Sequence, residues 1–413
     1  MEKRVVITGT GAISALGLNT ADNWSSALAG KCGIDRIQVY DEPLPISVAA
    51  EVRGFDPEAA GLSRGEVRHY DRFCQFAVAA SLEAVAQSGL VSGENIDPAR
   101  FGVYIGTGVG GLMTFISQTQ TYTSEGAKAV SPLFIPMMIA NMGSGNTAIR
   151  LNAQGPNLTT VAACASSTNS VGEAFLAIRD GRADAIVAGG AESAYHPLTI
   201  GGFANSRALS TVDDPSLACL PFDARRKGFV MGDGAGILVL EELEHAKARG
   251  AKIIAEVCGY GNTCAAYHYT APRPDGSATS RAISEALNQA GYKSGEALYI
   301  NAHGTGTLLN DKAETKAIKL ALGDEAFKAS ISSTKSMTGH MLGAAGGIEL
   351  VFSALALRDG MVPPTIGLSE PDPECDLDYT PGTARRRDLD IAISNSLGFG
   401  GHNATVALRK WHE

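Results

Sequence analysis

The feature that most constrains this chain is a series of short, continuously apolar runs, several of them ending in glycine, that occurs twice in the same order. The first series comprises RVVITGTG at 4–11, FGVYIGTGVGG at 101–111, DAIVAGGAES at 184–193 and GILVLEE at 236–242. KIIAEVCGYGNT at 252–263, LYINAHGTGT at 298–307, IAISNSLGFGG at 391–401 and ATVALRK at 404–410 replay it. Between the second and third runs of each series lies a strand, a tight turn and a helix, as NLTTVAACASSTNSVGEAFLAI at 157–178 and again as ISSTKSMTGHMLGAAGGIELVFSAL at 331–355. Unbroken hydrophobicity is what strands covered on both faces need, so the pattern predicts an α/β chain with a buried parallel or mixed sheet and helices on each side. Two copies with equivalent strand order, 1–250 and 251–413, pack about a pseudo-two-fold axis and bring strand-end loops together near their interface. A composite active site is therefore expected. Residues 109–150 and 194–235, dense in Gly, Ser, Met and Pro and without clean periodicity, read as long insertions in the first copy that form functional walls or subunit contacts.

Composition closes off several classes of function. With 413 residues, 45% of them hydrophobic and 19% charged, the chain can bury a large core. A net charge of -9 argues against nucleic acid as the main partner. Seven cysteines with no CxxC pair read as reduced thiols rather than as a disulfide framework or a zinc site. The N-terminus runs straight into a strand, and no apolar stretch reaches the roughly 18 residues of a membrane span. A cytoplasmic protein is expected, with neither secretion signal nor membrane partner.

Cys164 stands where a β-branched strand gives way to small residues and then to a helical pattern. A helix start offers aligned dipoles and free N–H groups that favour thiolate over thiol. The plainer alternative is a cysteine that acts as a small apolar filler, which is how the other six read. His303 follows a strand in NAHGTGT, and His340 sits at an expected helix start in STKSMTGHMLGAAGG, a position that keeps imidazole neutral. Either histidine alone reads as structural. Three such residues, each at a strand end of a duplicated plan, read as a catalytic set. Lys335 precedes His340, and Asp311 and Glu314 follow HGTGT closely enough to hold that lysine; solvated surface charge accounts for these three equally well. GFGGHN at 398–403 sets Phe399 and Gly400 after a buried strand, where a backbone amide can face a substrate oxygen, or where the chain simply turns. GTGVGG at 106–111 has no following lysine and no acidic ribose partner, so no nucleotide cofactor is expected.

Taken together, AACASS around Cys164, NAHGTGT with His303, STKSMTGH with Lys335 and His340, and NSLGFGGHN with Phe399 closely resemble the β-ketoacyl-acyl carrier protein synthase II family. The resemblance extends along essentially the whole chain, through VVITGTGAISALG and PFDARRKGFVMGDGAG as well. It implies a thiolase-like five-layered αβαβα fold built from two βαβαβαββ halves, and a homodimer. It also implies a condensing enzyme of fatty acid synthesis that needs no cofactor. Cys164 would take an acyl group from acyl carrier protein, and malonyl-acyl carrier protein would lose carbon dioxide while His303 and His340 hydrogen-bond its thioester oxygen. The enolate so formed would attack the acyl-enzyme, with the amides of Cys164 and Phe399 as oxyanion hole.

Further roles come from the same resemblance. Lys335 and Glu314 would form a supporting hydrogen-bonded pair, and Phe399 would gate acyl entry. Thr270, Thr305 and Thr307 would contact the phosphopantetheine arm. Asn301, Glu349, Ser394 and Asn395 match a structural Na+ or K+ site of some members. Arg64, Arg68 and Arg207 match a basic surface for the acidic carrier, with generic surface charge as the alternative. Two departures stand out, Ala265 where the family often has Asp and Gly306 where Ser is commoner. Among rivals, a type II polyketide ketosynthase shares Cys, His and His and stays open. A chain-length partner subunit lacks the cysteine, a thiolase needs a second catalytic cysteine, and a type III synthase has Asn in place of the second histidine.

Overall fold

The computed structural model describes residues 2–38, 40 and 43–412. The strands of its main sheet are β1 (Val5–Ile13), β2 (Phe101–Gly106), β3 (Asn157–Leu158), β4 (Ala185–Glu192), β5 (Gly234–Glu242), β6 (Ala255–Cys264), β7 (Leu298–Asn301), β8 (Ser330–Ser332), β9 (Ile391–Gly398) and β10 (His402–Lys410). Their order is β8-β7-β9-β10-β6-β1-β5-β4-β2-β3. Outward from the centre the first copy reads β1-β5-β4-β2-β3 and the second β6-β10-β9-β7-β8, so every strand has its counterpart five places later. Directions match too. The first two pairings of each copy are antiparallel and the outer two parallel. The copies join through β1 and β6, which pair over only Val5–Ile7 and Ala255–Val257.

The main helices are α1 (Arg72–Ser88), α2 (Leu112–Glu125), α3 (Met142–Leu151), α4 (Ser166–Arg179), α5 (Pro197–Asn205), α6 (Ser277–Gln289), α7 (Leu308–Leu322) and α8 (Ala345–Asp359). Of these, α4 and α8 are buried nearly all round, as a layer enclosed by sheet on both sides must be. Side-chain alternation along the strands separates the layers. On β5, Leu238 and Leu240 face Phe175 and Phe352 of the middle layer, whereas Ile237 and Val239 face Phe76 of α1 on the outside. On β9, Ala392 faces inward while Ile391 and Ile393 meet Ile283 of α6 and Ile318 of α7. The result is the buried mixed sheet with helices on each side that the duplicated pattern predicted, in the αβαβα stack that the resemblance implied. Each large apolar side chain withdrawn from water in these cores contributes about 1.5–3 kcal/mol. Glycine lets the middle layer come close: a Cβ at Gly347 would stand 2.2 Å from Gly236 O, so α8 rests backbone on backbone against β5.

The two aperiodic stretches are more ordered than their composition implied. The first holds α2 and α3, and α3 packs Ala148 and Leu151 onto the outer core of the first copy. The helical character of α2 was hidden because its Thr hydroxyls bond back to carbonyls four residues earlier, as Thr119 does to Phe115 O (2.7 Å) and Thr123 to Thr119 O (2.8 Å). The second stretch holds α5 and packs Ile200, Phe229 and Met231 together. All seven cysteines are free. No helix among the described residues is long and apolar enough to cross a membrane.

Candidate active site

Each copy turns into its central helix through a residue in the left-handed region. Ala163 (φ 50°) stands three residues before α4 and Leu342 (φ 48°) three before α8. For a residue with a side chain this conformation costs about 1–2 kcal/mol. In the front copy local bonds hold it: Ser166 Oγ accepts from Ala162 N (2.9 Å) and donates to Ala163 O (2.7 Å). The turn delivers Cys164 to the floor of a cavity of about 430 Å3. His303, on the loop after β7, and His340, before α8, line the same cavity, as do Thr270, Thr305, Thr307, Phe399 and Arg207. The two imidazoles lie 5.4 Å apart, centroid to centroid, at 86°. The sulfur of one copy and the two rings of the other therefore share one chamber.

Burial, reinforced by the Lys335 charge, holds both imidazoles well below their usual 6.5, so both are neutral. The Nδ1 atoms of His303 and His340 are buried without a hydrogen-bond partner. A buried, unpaired N–H costs more than an unpaired lone pair, which favours the tautomer with the proton on Nε2. The sulfur behaves differently from expectation. Burial pushes the Cys164 thiol up to about 12, against the lowering effect of Lys335, so the resting residue is a thiol and not the thiolate that a helix start favours.

The lysine has another partner than the one expected. Lys335 is ion-paired with Glu349 on α8, and both are buried. Glu314 instead accepts from His303 N and Gly304 N (2.8 Å each) and from Asn395 Nδ2 (3.4 Å), so it shapes the histidine loop itself. Asp311 does not hold Lys335 either. It accepts from Phe222 N (2.8 Å) and Gly306 N (3.3 Å) and lies 3.7 Å from the buried Arg226. Arg226 in turn donates to Thr307 O and Leu308 O (3.1 Å each), fixing the loop that carries Thr305 and Thr307, whose hydroxyls are 3.0 Å apart. Gly306 is in the left-handed region at φ 77°, which explains glycine rather than serine at this position.

The loop carrying Phe399 is tied to its neighbour mainly through backbone: Gly400 N donates to Tyr269 O and Ala265 N to Gly401 O, 2.8 Å each, with Cys264 Sγ donating to Gly400 O at 3.8 Å. Gly400, expected at the substrate, is absent from the cavity lining because its amide is taken this way, while Gly398, Phe399 and Gly401 do line it. A Cβ at Gly398 would stand 3.3 Å from Cys164 N, so this strand end passes directly beside the amide of the nucleophile. Phe399 contacts Phe203 of α5 (6.5 Å), Phe203 contacts Phe229 (5.4 Å), and Phe229 stands edge-on to His340 (5.2 Å). Sequence reasoning missed Phe203 and Phe229. Arg226 lay inside a quoted motif, but nothing in the letters marks which of two adjacent arginines is buried.

Among the arginines, exposed Arg207 lines the cavity mouth beside Lys227 and Arg273, two cations the sequence did not single out. Arg64 and Arg68 are exposed on the short helix Arg64–His69 and are not part of that lining. Of the four residues matched to a cation site, three fit one. Asn301 Oδ1, Glu349 Oε2 and Ser394 Oγ are buried without partners, Asn301 and Ser394 are register neighbours on β7 and β9, and Asn301 Nδ2 lies 3.4 Å from Glu349 O. Such hard oxygen donors suit Na+ or K+. The Asn395 side chain is engaged elsewhere, by Glu314 and by Thr405 Oγ1 (2.9 Å).

The model of the β-ketoacyl synthase N-terminal domain matches residues 2–246, and that of the C-terminal domain matches residues 254–369. The chain belongs to the β-ketoacyl synthase family. Within it, the chain is similar to the 3-oxoacyl-[acyl-carrier-protein] synthase 2 of Synechocystis sp., at 51% identity over 412 residues and 99% of each chain. The protein of the same name from Staphylococcus aureus is 50% identical over 410 residues, again covering 99% of each. Among solved structures, a β-ketoacyl synthase from Burkholderia phymatum superposes with a TM-score of 0.91 at 36% identity, covering 99% of this chain and all of that one. A ketosynthase solved with its type II polyketide acyl-carrier protein and bound to the hexaketide superposes at 0.92 with 33% identity and full coverage of both chains.

Proposed function

We propose that this β-ketoacyl synthase is a 3-oxoacyl-[acyl-carrier-protein] synthase of the second type, an acyltransferase that lengthens fatty acyl chains by decarboxylative condensation. The observation that carries the reading is the single chamber shared by Cys164 and two neutral imidazoles. Cys164 Sγ attacks the thioester carbonyl of an acyl-acyl carrier protein, its proton leaves with the carrier thiol, and the acyl group stays on sulfur. Because the resting thiol is neutral, deprotonation accompanies acyl arrival instead of preceding it. The amides of Cys164 and Phe399 hold the carbonyl oxygen as it gains charge. Malonyl-acyl carrier protein then binds with its arm along Thr270, Thr305 and Thr307. The Nε2–H groups of His303 and His340 donate to its thioester oxygen, the carboxylate leaves as carbon dioxide, and the electron pair left behind forms the new bond to the acyl carbon. Sγ departs as thiolate and is reprotonated. Decarboxylation itself generates the carbanion, so no organic cofactor enters the scheme.

Asn301, Glu349 and Ser394 would hold a monovalent cation, whose fixed charge would steady the buried carboxylates behind the histidines. The acidic carrier would dock at the mouth on Arg207, Lys227 and Arg273, with Arg64 and Arg68 as outlying contacts. A homodimer is supported by the short outer strand β3 and by exposed apolar side chains in the same stretch of chain, Phe115, Tyr122, Ile135, Leu158 and Val161. The reduced cysteines suit the cytoplasm. A second reading, a ketosynthase of a type II polyketide pathway, is favoured by the likeness to the hexaketide-bound structure, while sequence identity favours fatty acid synthesis. Incubation with saturated acyl carriers and labelled malonyl carrier decides between them. Turnover of saturated chains to products two carbons longer supports the first reading, and turnover restricted to polyketide intermediates overturns it.

A further inference from the structure

Glu192, at the end of β4, is fully buried, and none of its hydrogen bonds comes from a cation. Its carboxylate accepts from Thr107 Oγ1 (2.9 Å), Gly108 N (2.6 Å) and, more weakly, Val109 N (3.4 Å) in the front copy. From the rear copy it accepts Gly343 N at 3.0 Å, three residues after His340. The site is built around these bonds. A Cβ on Gly108 or on Gly343 would stand 2.7 Å from Glu192 Oε2, and one on Gly343 would stand 2.1 Å from Gly108 N. Both loops are bare of side chains where they meet, and the carboxylate fills the space between them. What it holds is functional surface on both sides, because Gly108 and Val109 line the cavity from the front, and His340 and Leu342 line it from the rear.

We infer that Glu192 is a positioning residue that locks the acyl-pocket wall at Gly108 and Val109 to the His340 turn, so that pocket length and malonyl decarboxylation depend on one carboxylate. It touches no reacting atom and acts through Val109 on the acyl chain and through Gly343 on the imidazole. Every partner is a donor, which suits a carboxylate's two acceptor oxygens. A glutamine could keep its oxygen on Gly108 N and Gly343 N and donate to the Thr107 hydroxyl, disturbing only the weak Val109 bond. Methionine, of similar length, offers no oxygen acceptor and leaves all four donors unpaired, so that the loops would part. Bonds to a charged acceptor lost in this way are worth about 1.5–3 kcal/mol, or roughly tenfold and upward in rate if they are expressed at the turn.

The inference rests on the condensing reading of the cavity, and the test separates the two. For wild type, Glu192→Met and the milder Thr107→Val, three quantities are measured: acylation of Cys164 by thioesters of increasing chain length, carbon dioxide release from malonyl-acyl carrier protein, and thermal midpoint. If wild type itself makes no 3-oxoacyl product, the condensing reading falls. If it does, Glu192→Met should retain acylation by short chains within about twofold while long-chain acylation and decarboxylation each fall about tenfold. Thr107→Val should move the same two quantities in the same direction by a smaller factor, and it carries the test should Glu192→Met not accumulate as folded protein. Equal losses at every chain length and every step, in proportion to a lowered midpoint, would show a merely structural role and overturn the inference, as would unchanged kinetics in both variants.

Discussion

The front and rear copies make the same turn into the same kind of buried helix, yet one ends in a sulfur and the other in an imidazole. Their difference lies in how each strand end is charged. At the end of the second strand both copies present successive amides to a buried carboxylate: Gly108 and Val109 to Glu192 in front, His303 and Gly304 to Glu314 behind. In front no cation accompanies that carboxylate, and the neighbouring thiol is pushed up by burial. Behind, the charge of Lys335, ion-paired with Glu349, adds to burial in keeping the two imidazoles neutral. One scaffold thus supplies a thiol that is protonated at rest and a pair of uncharged imidazoles. The chemistry resides in what diverged at the strand ends.

The sharpest way to break this division of labour is to remove the front residue. Cys164→Ala should abolish both acyl-enzyme formation and condensation, and intact-protein mass spectrometry showing acylation of that variant would end the assignment. The largest effect from the rear copy is expected for His303→Ala, which should still accept an acyl group on Cys164 but lose about 10²–10⁴-fold in decarboxylation. Carbon dioxide release at the wild-type rate would remove the histidine from its role.

A third test addresses the rear ion pair. Lys335→Met leaves Glu349 buried without its cation, and denaturant unfolding should report a loss of about 3–5 kcal/mol; a variant as stable as wild type would mean the pair is dispensable. The smallest expected effect is an absence of change with pH. Both imidazoles titrate well below 6.5, so each keeps its Nε2–H and neutral form as the pH falls through that value. The ring NMR signals of both histidines should therefore stay those of neutral imidazole from neutral pH past 6.5, even where the rate changes as Glu192, Glu314 and Glu349, raised by burial to about 7, take up protons. A ring titration centred at 6.5 would mean that the rings titrate like solvent-exposed histidines.

Much of this was written in the letters. Apolar runs repeated in order marked the strands and their equivalence between the copies, though not their pairing, and Cys164, His303 and His340 each followed a recognisable strand. The partner of Lys335 was not legible. Glu314 is near in the chain, but α7 turns it to the amides of His303 and Gly304, whereas Glu349 reaches the lysine from α8, a helix so completely buried that it has no polar face to read. The state of Cys164 also escaped sequence reasoning, since a helix start lowers a thiol and an enclosed cavity raises it, and only the fold says which prevails. Glu192 was invisible for a related reason: apart from the Thr107 hydroxyl its partners are backbone amides, which every sequence contains.

The seam between the copies has a consequence beyond the reaction. Were these copies separate, identical subunits, any substitution at a strand end would appear on both sides of the axis at once, and a cysteine gained opposite would be a histidine lost. Joined in one chain, with β1 and β6 paired over three residues each and two helices shared between them, the copies can mutate independently. A single chain with two unlike strand ends has a freedom to specialise that a symmetric pair would lack.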